Sequence, residues 1–297
     1  MKRLLVITVA TGMVIVVMIG VVILASSVVE RYSEQYHFRK SGGNSGTETT
    51  SAVSIPDRDA MVRIPGGAFV MGADLTGREP VANRDESPPH RVSLPPFYIG
   101  KYEVTHLQYK KFVDATGHPP PLRWEKGAYP PGKADHPVIY VNLEDAKAYA
   151  AWAGGRLCTE AEWELAAKGF DRREWPWGNR WDDRKANVYY TVGDTTPVNG
   201  YPQGASPFGV LGMADNVWEW VSDPYRRYPG NTDPEWYFQR GFYLLRSGSW
   251  KSDFLSSRTT TRNPTNPVYR ADYFGIRICK DATSGKKTTP REAKDLK

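Results

Sequence analysis

The second half of the chain, from Gly169 onwards, has few hydrophobic repeats of either helical or strand period. It is rich instead in Trp, Gly, Pro and Asn, which favour turns and packed aromatic contacts. Long regular elements cannot cover such a sequence, so much of it must form ordered loops held by buried rings. This pattern predicts an α+β fold with small sheets, two or three helices and long loops.

The densest part of this half is 216–220, which reads Asn-Val-Trp-Glu-Trp. Buried indoles need partners for their N–H groups, and a carboxylate between them cannot be buried as a bare charge. We therefore expect Glu219 to be bound either by N–H donors or by a metal ion. The alternative is the edge of a core strand, with Glu219 facing water.

Three helices are predicted in the first half of the folded part. Capping boxes begin two of them, at Thr105 and Thr159, and glycine ends each, at Gly117 and Gly169. The third is predicted over 142–153 from Leu and Ala at helical spacing. Short apolar runs next to Gly or Pro turns predict strands at 62–64, 68–71, 91–94, 97–99, 242–245 and 273–279.

Residues 4–29 contain no charged side chain, a run of about 26 residues, longer than the roughly 20 that cross a bilayer core. The run is too long for a cleaved signal peptide, so we predict an uncleaved single-pass anchor. Lys2 and Arg3 precede it, which favours a cytoplasmic N-terminus. The rest of the protein is then expected in the periplasm or outside the cell.

The domain organisation follows from changes in composition along the chain. We predict an anchor at 1–30, a flexible Ser-, Gly- and Thr-rich linker at 31–60, one folded domain at 61–280 and a disordered tail at 281–297. The net charge of +6 is spread along the chain without a basic run, so nucleic acid is not an expected partner. Cys158 and Cys279 either form a disulfide, as in most exported domains with two cysteines, or stay as two buried thiols.

Seven motifs together resemble the formylglycine-generating enzyme family, also called the sulfatase-modifying factor family. In chain order they begin at Ile64 (IPGG), Tyr102 (YEVT), Arg156 (RLCTEAEWE), Trp177 (WGN), Asn216 (NVWEW), Arg246 (RSGSW) and Gly275 (GIR). They cover the whole folded domain. The resemblance implies an irregular, C-type-lectin-like fold with little regular secondary structure.

The family's activity, which the resemblance would imply, oxidises a substrate cysteine with oxygen and a copper ion held by two enzyme cysteines. In this chain Ser252 and Ser257 stand at those two positions. A serine hydroxyl cannot replace a soft thiolate as a ligand of Cu(I). We therefore expect no copper and no formylglycine-generating activity, although other enzymatic activity stays open.

Calcium is the second feature that the resemblance implies. The residues at or near the family's ligand positions are Asn187, Val188, Asp194, Asp215, Val217 and Glu219. Gly212 stands where a ligand side chain is usual, so the fit is partial, and hydrogen bonding of Glu219 to N–H groups is the alternative. The resemblance also brings the segments of Cys158 and Cys279 together, which supports a disulfide.

Three functions are compatible with this sequence. The first is a membrane-anchored, extracytoplasmic binding or assembly module, without catalysis, for envelope proteins or a glycan. Aromatic and arginine residues of a predicted insertion would bind the partner, or would instead cover the core. They are Tyr225, Arg226, Arg227, Tyr228, Trp236, Tyr237 and Arg240.

The second function is a metal-dependent oxidoreductase of the same superfamily with a changed active site. Its iron would need histidine ligands, and the histidines of the folded part show no metal-binding spacing. They are His90, His106, His118 and His136. The third function is a purely structural subunit of an envelope complex.

Overall fold

A computed structural model describes residues 57–74, 84–234, 238 and 240–282. All the described residues belong to one compact unit. The predicted anchor, the linker up to residue 56 and the tail from residue 283 lie outside the described residues. Within the part described, no helix has the length and apolar character needed to span a bilayer.

The described chain contains α-helices α1 (His106–Thr116), α2 (Leu143–Trp152) and α3 (Glu160–Lys168). Each begins with a capping box, formed by Thr105, Asn142 and Thr159. Gly117 and Gly169 follow α1 and α3 with φ of 69° and 73°, which glycine adopts without strain. The three helix predictions are therefore confirmed, with Asn142 as a cap rather than a helical residue.

Short strands make up the rest of the regular structure. The described strands are β1 (Met61–Ile64), β2 (Gly67–Met71), β3 (His90–Leu94), β4 (Phe97–Gly100), β5 (Arg156–Leu157), β6 (Trp218–Pro224), β7 (Tyr243–Arg246), β8 (Asn263–Thr265), β9 (Phe274–Ile276) and β10 (Ile278–Asp281). Three 3₁₀ turns are also present in the part described, at Arg84–Glu86, Asp183–Lys185 and Pro202–Gly204. The mixed, loop-rich architecture agrees with the predicted α+β class.

The described strands form three small sheets. The first has the order β1-β4-β10-β5, and every neighbouring pair is antiparallel. The second is the antiparallel pair β2-β3. The third has the order β8-β7-β6-β9, in which β6 and β9 run parallel and the other pairs antiparallel. No described sheet is wide, so each depends on packing against loops and helices.

The predicted strand at 273–279 is divided at Arg277. Residues before this arginine form β9 in the third sheet, and residues after it form β10 in the first sheet. The Arg277 side chain is buried, 1% exposed, and bonds groups from both neighbouring regions. The single strand predicted at 273–279 is thus two short strands that belong to different sheets.

The sequence did not predict three of the strands. β5 has two residues, and β8 contains Pro264, which is tolerated because β8 is an edge strand. For β6 the sequence offers only the alternative of a core strand edge with Glu219 facing water, whereas the strand is present and Glu219 is buried in it. Its burial depends on partners that lie far away in the sequence.

Cys158 and Cys279 form a disulfide. Cys158 precedes α3, and Cys279 lies on β10 opposite Ile99 of β4. Both cysteines belong to the same apolar cluster of the core. The bond therefore fixes the start of α3 to the centre of the first sheet.

Candidate functional site

The loop that carries Ser252 and Ser257 is fixed at both ends by buried ion pairs. Arg246, the last residue of β7, donates from Nη1 to Glu160 Oε1 at 2.8 Å and from Nη2 to Glu164 Oε2 at 2.8 Å. After the loop, Arg262 donates from Nε to the same Glu160 oxygen at 2.7 Å. Both arginines thus bond helix α3, which sets the position of the loop between them.

We call residues 247–257 the serine loop. It begins with strained backbone: Ser247 has φ 100° and Gly248 has φ 146°. A Cβ on Gly248 would lie 2.5 Å from Ser257 Oγ, so only glycine fits there. Such left-handed conformations in non-glycine residues concentrate at functional sites, where the surrounding structure enforces them.

Ser252 and Ser257, which the family resemblance places at the copper-binding positions, have hydroxyls that are hydrogen-bonded within the serine loop. Ser252 Oγ accepts a hydrogen bond from the Ser249 N–H and shares another with Ser249 Oγ, each at 3.0 Å. Ser257 is fully buried, and its Oγ donates to the Asp253 carbonyl at 2.9 Å. These neutral, hard oxygen donors do not fit Cu(I). Their role in this loop is to hold its shape.

An aromatic surface lies beside the serine loop. We call the set Trp175, Trp177, Trp181, Tyr189 and Phe254 the aromatic wall. Ring centroids are 5.6 Å apart for Trp175 and Trp181, 5.3 Å for Trp177 and Trp181, and 5.9 Å for Trp181 and Phe254. Each indole N–H of the wall already donates to a group of the protein. Trp175 is buried, 5% exposed, and forms the base of the wall, whereas the other four rings are half-buried. The exposed parts of those four rings offer faces and edges that suit apolar or cationic groups.

Tyr189 and Tyr190 both adopt the left-handed conformation, with φ of 55°. Their N–H groups donate to the carbonyls of Ser252, at 2.9 Å, and Trp250, at 2.7 Å. Tyr190 nevertheless leaves its side chain 58% exposed against the edge of Trp250. The fold thus bears a cost of roughly 1–3 kcal/mol per strained residue to hold these tyrosines next to the serine loop.

The sequence predicted neither the aromatic wall nor the two strained tyrosines as site residues. The available signal is the close spacing of three tryptophans in 175–181, followed by two adjacent tyrosines. From the sequence alone, such rings are expected to pack in the core. Only the fold brings Phe254 of the serine loop against them.

The predicted partner patch around residue 225 needs correction. Tyr225 and Tyr228 are buried, and their hydroxyls donate to Asp85 at 2.9 Å and to Glu160 at 3.0 Å. The Arg262 guanidinium lies over both rings. These tyrosines cover the ion pairs of the core because their hydroxyls stabilise buried charges, so they are not available to a partner. The other members are Arg226, Arg227 and Arg240, which are exposed, and Trp236 and Tyr237, which lie outside the described residues.

Glu219 is bound by N–H donors, one of the two arrangements expected for it. The Arg277 guanidinium donates to both of its carboxylate oxygens, with distances from 2.6 to 3.0 Å, and Trp163 Nε1 donates at 2.6 Å. Arg277 also donates to the carbonyls of Gly100 and Leu211. The Arg277 guanidinium thus supplies the positive charge beside Glu219. Because N–H donors already occupy both of its oxygens, this carboxylate does not fit the role of a calcium ligand.

The other predicted calcium ligands surround Asn187. The Asn187 N–H donates to Asp215 Oδ2 at 2.7 Å, and its Nδ2 donates to the Asp194 carbonyl at 2.9 Å. The Asp194 carboxylate pairs with Lys133 at 2.9 Å. Among the described residues, Asn187 Oδ1 is buried without a hydrogen-bond partner. The site therefore retains one unpaired oxygen that fits a hard cation.

Three buried carboxylates, those of Glu103, Asp215 and Glu219, lie around the Arg277 guanidinium. Burial raises the pKa of Glu103 to about 8, helped by the charges of Glu219 and Asp215 and opposed by Arg277. Burial also raises the pKa of Asp215 to about 7. Both side chains therefore carry a proton for much of the time near neutral pH.

Glu103→Gln is expected to flatten the dependence of stability on pH. The pKa of Glu103 is raised from 4.5 to about 8 on folding, so the native state binds more protons than the unfolded state between these values. The contribution of Glu103 to stability is then fully present below pH 4.5 and is lost as pH rises through about 8, at up to about 1.4 kcal/mol per pH unit.

Glutamine mimics the protonated form and does not ionise. Between pH 5 and pH 9 we expect the stability of the variant relative to the wild type to rise by on the order of 4 kcal/mol, because only the wild type has to ionise this buried side chain. Urea unfolding between pH 5 and pH 9 measures this difference. Parallel curves for the two proteins would contradict it.

The four histidines of the described part of the chain are not grouped with other potential metal ligands. Burial lowers the pKa of His106 to about 3 and that of His136 to about 4, so both are neutral at physiological pH. His136 bonds Thr195, and His118 pairs with Asp145. Across the described part of the chain, no three His, Cys, Asp or Glu side chains are close enough together to hold a metal ion.

Comparison with known proteins places these features in context. Residues 47–282 match the family described as "Sulfatase-modifying factor enzyme 1-like domain". Hercynine oxygenase of Mycolicibacterium smegmatis is 35% identical over 74% of this chain. The match covers 61% of that relative, so the chain spans less than two thirds of its length. Inactive C-alpha-formylglycine-generating enzyme 2 of Mus musculus is 30% identical over 75% of this chain and 86% of its own length.

A solved structure gives a similar result. PvdO from Pseudomonas aeruginosa is 29% identical, with a TM-score of 0.60, and the match covers 74% of this chain and 94% of that protein. The similarity extends over nearly all of that protein, so the overall fold is shared.

Proposed function

Because the chain belongs to the sulfatase-modifying factor enzyme 1-like family, we propose that it is a non-catalytic binding or assembly module. One observation carries this proposal. The hydroxyls that replace the two copper-binding cysteines are both engaged in hydrogen bonds that shape the serine loop. A mouse protein that matches this chain over 86% of its own length is itself named as inactive.

We propose that the binding face is the aromatic wall together with Tyr190. The wall presents apolar rings, and the strained backbone of Tyr189 and Tyr190 holds aromatic side chains beside the serine loop. Trp and Tyr dominate the energetics of interfaces. This face replaces the sequence-predicted patch of Tyr225 and Tyr228, which are buried.

We further propose that the domain is anchored in a membrane by residues 4–29 and functions outside the cytoplasm, in a complex of envelope proteins or on a glycan. The support is the uncharged apolar run and the preceding Lys2 and Arg3. The disulfide between Cys158 and Cys279 is consistent with an oxidising compartment.

The face can be tested with Tyr190→Gly. Glycine tolerates φ 55°, so the variant is expected to fold with an unfolding free energy within about 1 kcal/mol of the wild type. Its capture of partner proteins or glycans from solubilised membranes, measured by mass spectrometry with the purified full chain as bait, is expected to fall.

Tyr269→Ala is the matched control, because Tyr269 is 59% exposed, like Tyr190, but lies between β8 and β9 and belongs to neither the wall nor the serine loop. Partners that are lost with Tyr190→Gly and retained with Tyr269→Ala support the proposal. Equal recovery by all three proteins would show that Tyr190 does not bind the partner and would contradict the proposed face.

The alternative is a metal-dependent oxidoreductase with a changed active site. It is favoured by the 35% identity to a relative named hercynine oxygenase, although the match spans 61% of that relative's length. Stoichiometric iron or copper in the purified full chain, or conversion of a cysteine peptide to an aldehyde, would support the enzyme and contradict the binding module.

We also propose a calcium site at Asn187, without Glu219, to which the Asp194 carboxylate would contribute by exchanging its ion pair with Lys133 for the calcium ion. Ca²⁺ accepts 6 to 8 oxygens in flexible geometry, and Asn187 Oδ1 is the buried oxygen of this group that lacks a donor within the described residues. Calcium is expected to raise the thermal unfolding midpoint of the wild type and not that of Asn187→Ala. Differential scanning fluorimetry with calcium or a chelator measures this, and an unchanged wild-type midpoint would contradict the site.

A further inference from the structure

The turn between Pro121 and Trp124 carries an exposed leucine. The Trp124 N–H donates to the Pro121 carbonyl at 3.2 Å, so Leu122 and Arg123 occupy the two central positions of a β-turn. Arg123 has φ 75°, the left-handed conformation that the third residue of a type II turn requires. Leu122 is 59% exposed at the tip of this turn.

A second turn carries two further exposed apolar side chains. The Tyr269 N–H donates to the Asn266 carbonyl at 3.0 Å, and the Val268 N–H donates to Asn266 Oδ1 at 3.2 Å. Val268 is 63% exposed and Tyr269 is 59% exposed. Together with Leu122 they are the three most exposed large apolar side chains of the described residues.

Tyr140 joins the two turns. Its N–H donates to the Ala271 carbonyl at 2.9 Å, just after the second turn, and the Arg123 guanidinium carbon lies 6.0 Å from the centre of its ring. Single exposed apolar side chains are ordinary, but a group of them marks an interaction site. We define the turn surface as Leu122, Arg123, Tyr140, Val268 and Tyr269.

Basic side chains accompany the apolar ones. The two turn segments, 121–126 and 266–271, contain one carboxylate, Glu125, and three exposed cations, Arg123, Lys126 and Arg270. Arg270 pairs with Asp145 at 2.8 Å, and the balance stays positive when this carboxylate is included. Aliphatic side chains together with Tyr and Arg are typical of protein surfaces at a membrane interface. Anionic lipid headgroups would complement the charge.

A bilayer would be close to this surface if residues 4–29 anchor the chain. A Ser- and Gly-rich linker of about 30 residues spans roughly 30 Å, which raises the effective concentration of a weak surface contact. The chain enters the domain at Arg58, which forms an ion pair with Asp135. Asp135 lies in the connection between α1 and α2 that also carries Leu122.

We propose that the turn surface docks the domain on the bilayer that residues 4–29 cross, an inference that rests on the proposed membrane anchor. Leu122 and Val268 enter the boundary between headgroups and acyl chains. Tyr269 lies at the level of the headgroups, and Arg123 pairs with a lipid phosphate. The contact gives the domain a defined orientation on the membrane.

Spin labelling of the full chain in vesicles tests the docking. The vesicles contain phosphatidylcholine and phosphatidylglycerol, and a nitroxide is attached at Val268→Cys. The new thiol is the only free one, because the two native cysteines form a disulfide. Power saturation compares collisions of the label with oxygen, which concentrates in lipid, and with a nickel chelate, which stays in water.

Phe170→Cys is the matched control for the label. Phe170 is 52% exposed and packs on Gly67 and Phe208 rather than on the turn surface. We expect the label at Val268→Cys to collide more often with oxygen, and less often with the nickel chelate, than the label at Phe170→Cys.

Leu122→Ser is expected to lower the ratio of docked to free domain by about tenfold, because it removes an apolar side chain from the lipid contact. Arg123→Gln is expected to lower this ratio by about fivefold, and so are vesicles without the anionic lipid. The two components of the spectrum of the label measure the ratio, and urea unfolding establishes that each variant is folded.

A label at Val268→Cys that meets the nickel chelate as often as the control label would overturn the proposal. Few collisions with both oxygen and the chelate would also overturn it, because a protein such as a second copy would then cover the turn surface. Flotation of the vesicles in high salt separates the two proposals. A chain that floats with a water-exposed label contradicts the docking alone, and a chain that does not float contradicts the anchor as well.

Partner capture in detergent involves no bilayer. The Tyr269→Ala control of that experiment is therefore independent of the turn surface.

Discussion

Replacing Glu160 with alanine is expected to lower the free energy of unfolding by about 3–5 kcal/mol, the usual cost of breaking a buried ion pair. One oxygen of Glu160 accepts hydrogen bonds from Tyr228, Arg246 and Arg262. Arg246 and Arg262 are almost completely buried. Alanine would leave two guanidinium groups without this counter-charge in the core, together with the space of the lost side chain.

Urea or guanidinium unfolding of the two proteins measures this loss. Glu144→Ala is the control, because Glu144 lies on the surface with its side chain 75% exposed and pairs with Lys147 of the same helix. Its effect is expected within about 0.5 kcal/mol. A loss below about 1 kcal/mol for Glu160→Ala would mean that water reaches the ion pairs.

Loss of the disulfide should have an effect of similar size. Cys158 and Cys279 are 121 residues apart, and a cross-link over such a loop contributes about 4–5 kcal/mol in the chain-entropy model. The double variant Cys158→Ala/Cys279→Ala is expected to lose this amount. It should also lose the response of the wild type to reducing agent, which separates the cross-link from the packing of the two side chains.

A labelling experiment checks the bond itself. Alkylation of the denatured, unreduced wild type should label neither cysteine, whereas alkylation after reduction should label both. Full labelling without reduction would show that the native protein carries two thiols.

Local rules in the sequence were sufficient for the helices and the first four strands. Thr105 and Thr159 begin helices because their hydroxyls accept hydrogen bonds from N–H groups three residues ahead, a contact that depends only on nearby sequence. The turns at Gly66 and Pro95 separate short apolar runs in the same way. Such elements are visible before any tertiary contact is known.

The site depends on contacts that the sequence does not reveal. Tyr225 and Tyr228 resemble exposed hot-spot residues until their hydroxyls are seen to bond Asp85 and Glu160, which lie 140 and 68 positions away. Glu219 resembles a metal ligand until Arg277, 58 positions away, is found against it. In each case a charge from a distant segment decides whether the side chain is buried.

The first sheet has a consequence for the biogenesis of the domain. The central pair of this sheet joins β4, near the start of the domain, to β10, at its end. Arg277, which directly precedes β10, donates to the carbonyl of Gly100 at the end of β4. Contacts of such long sequence separation form slowly. A chain emerging from a ribosome therefore cannot close this sheet until almost all of it has been released, and until then the edge of β4 that pairs with β10 stays open.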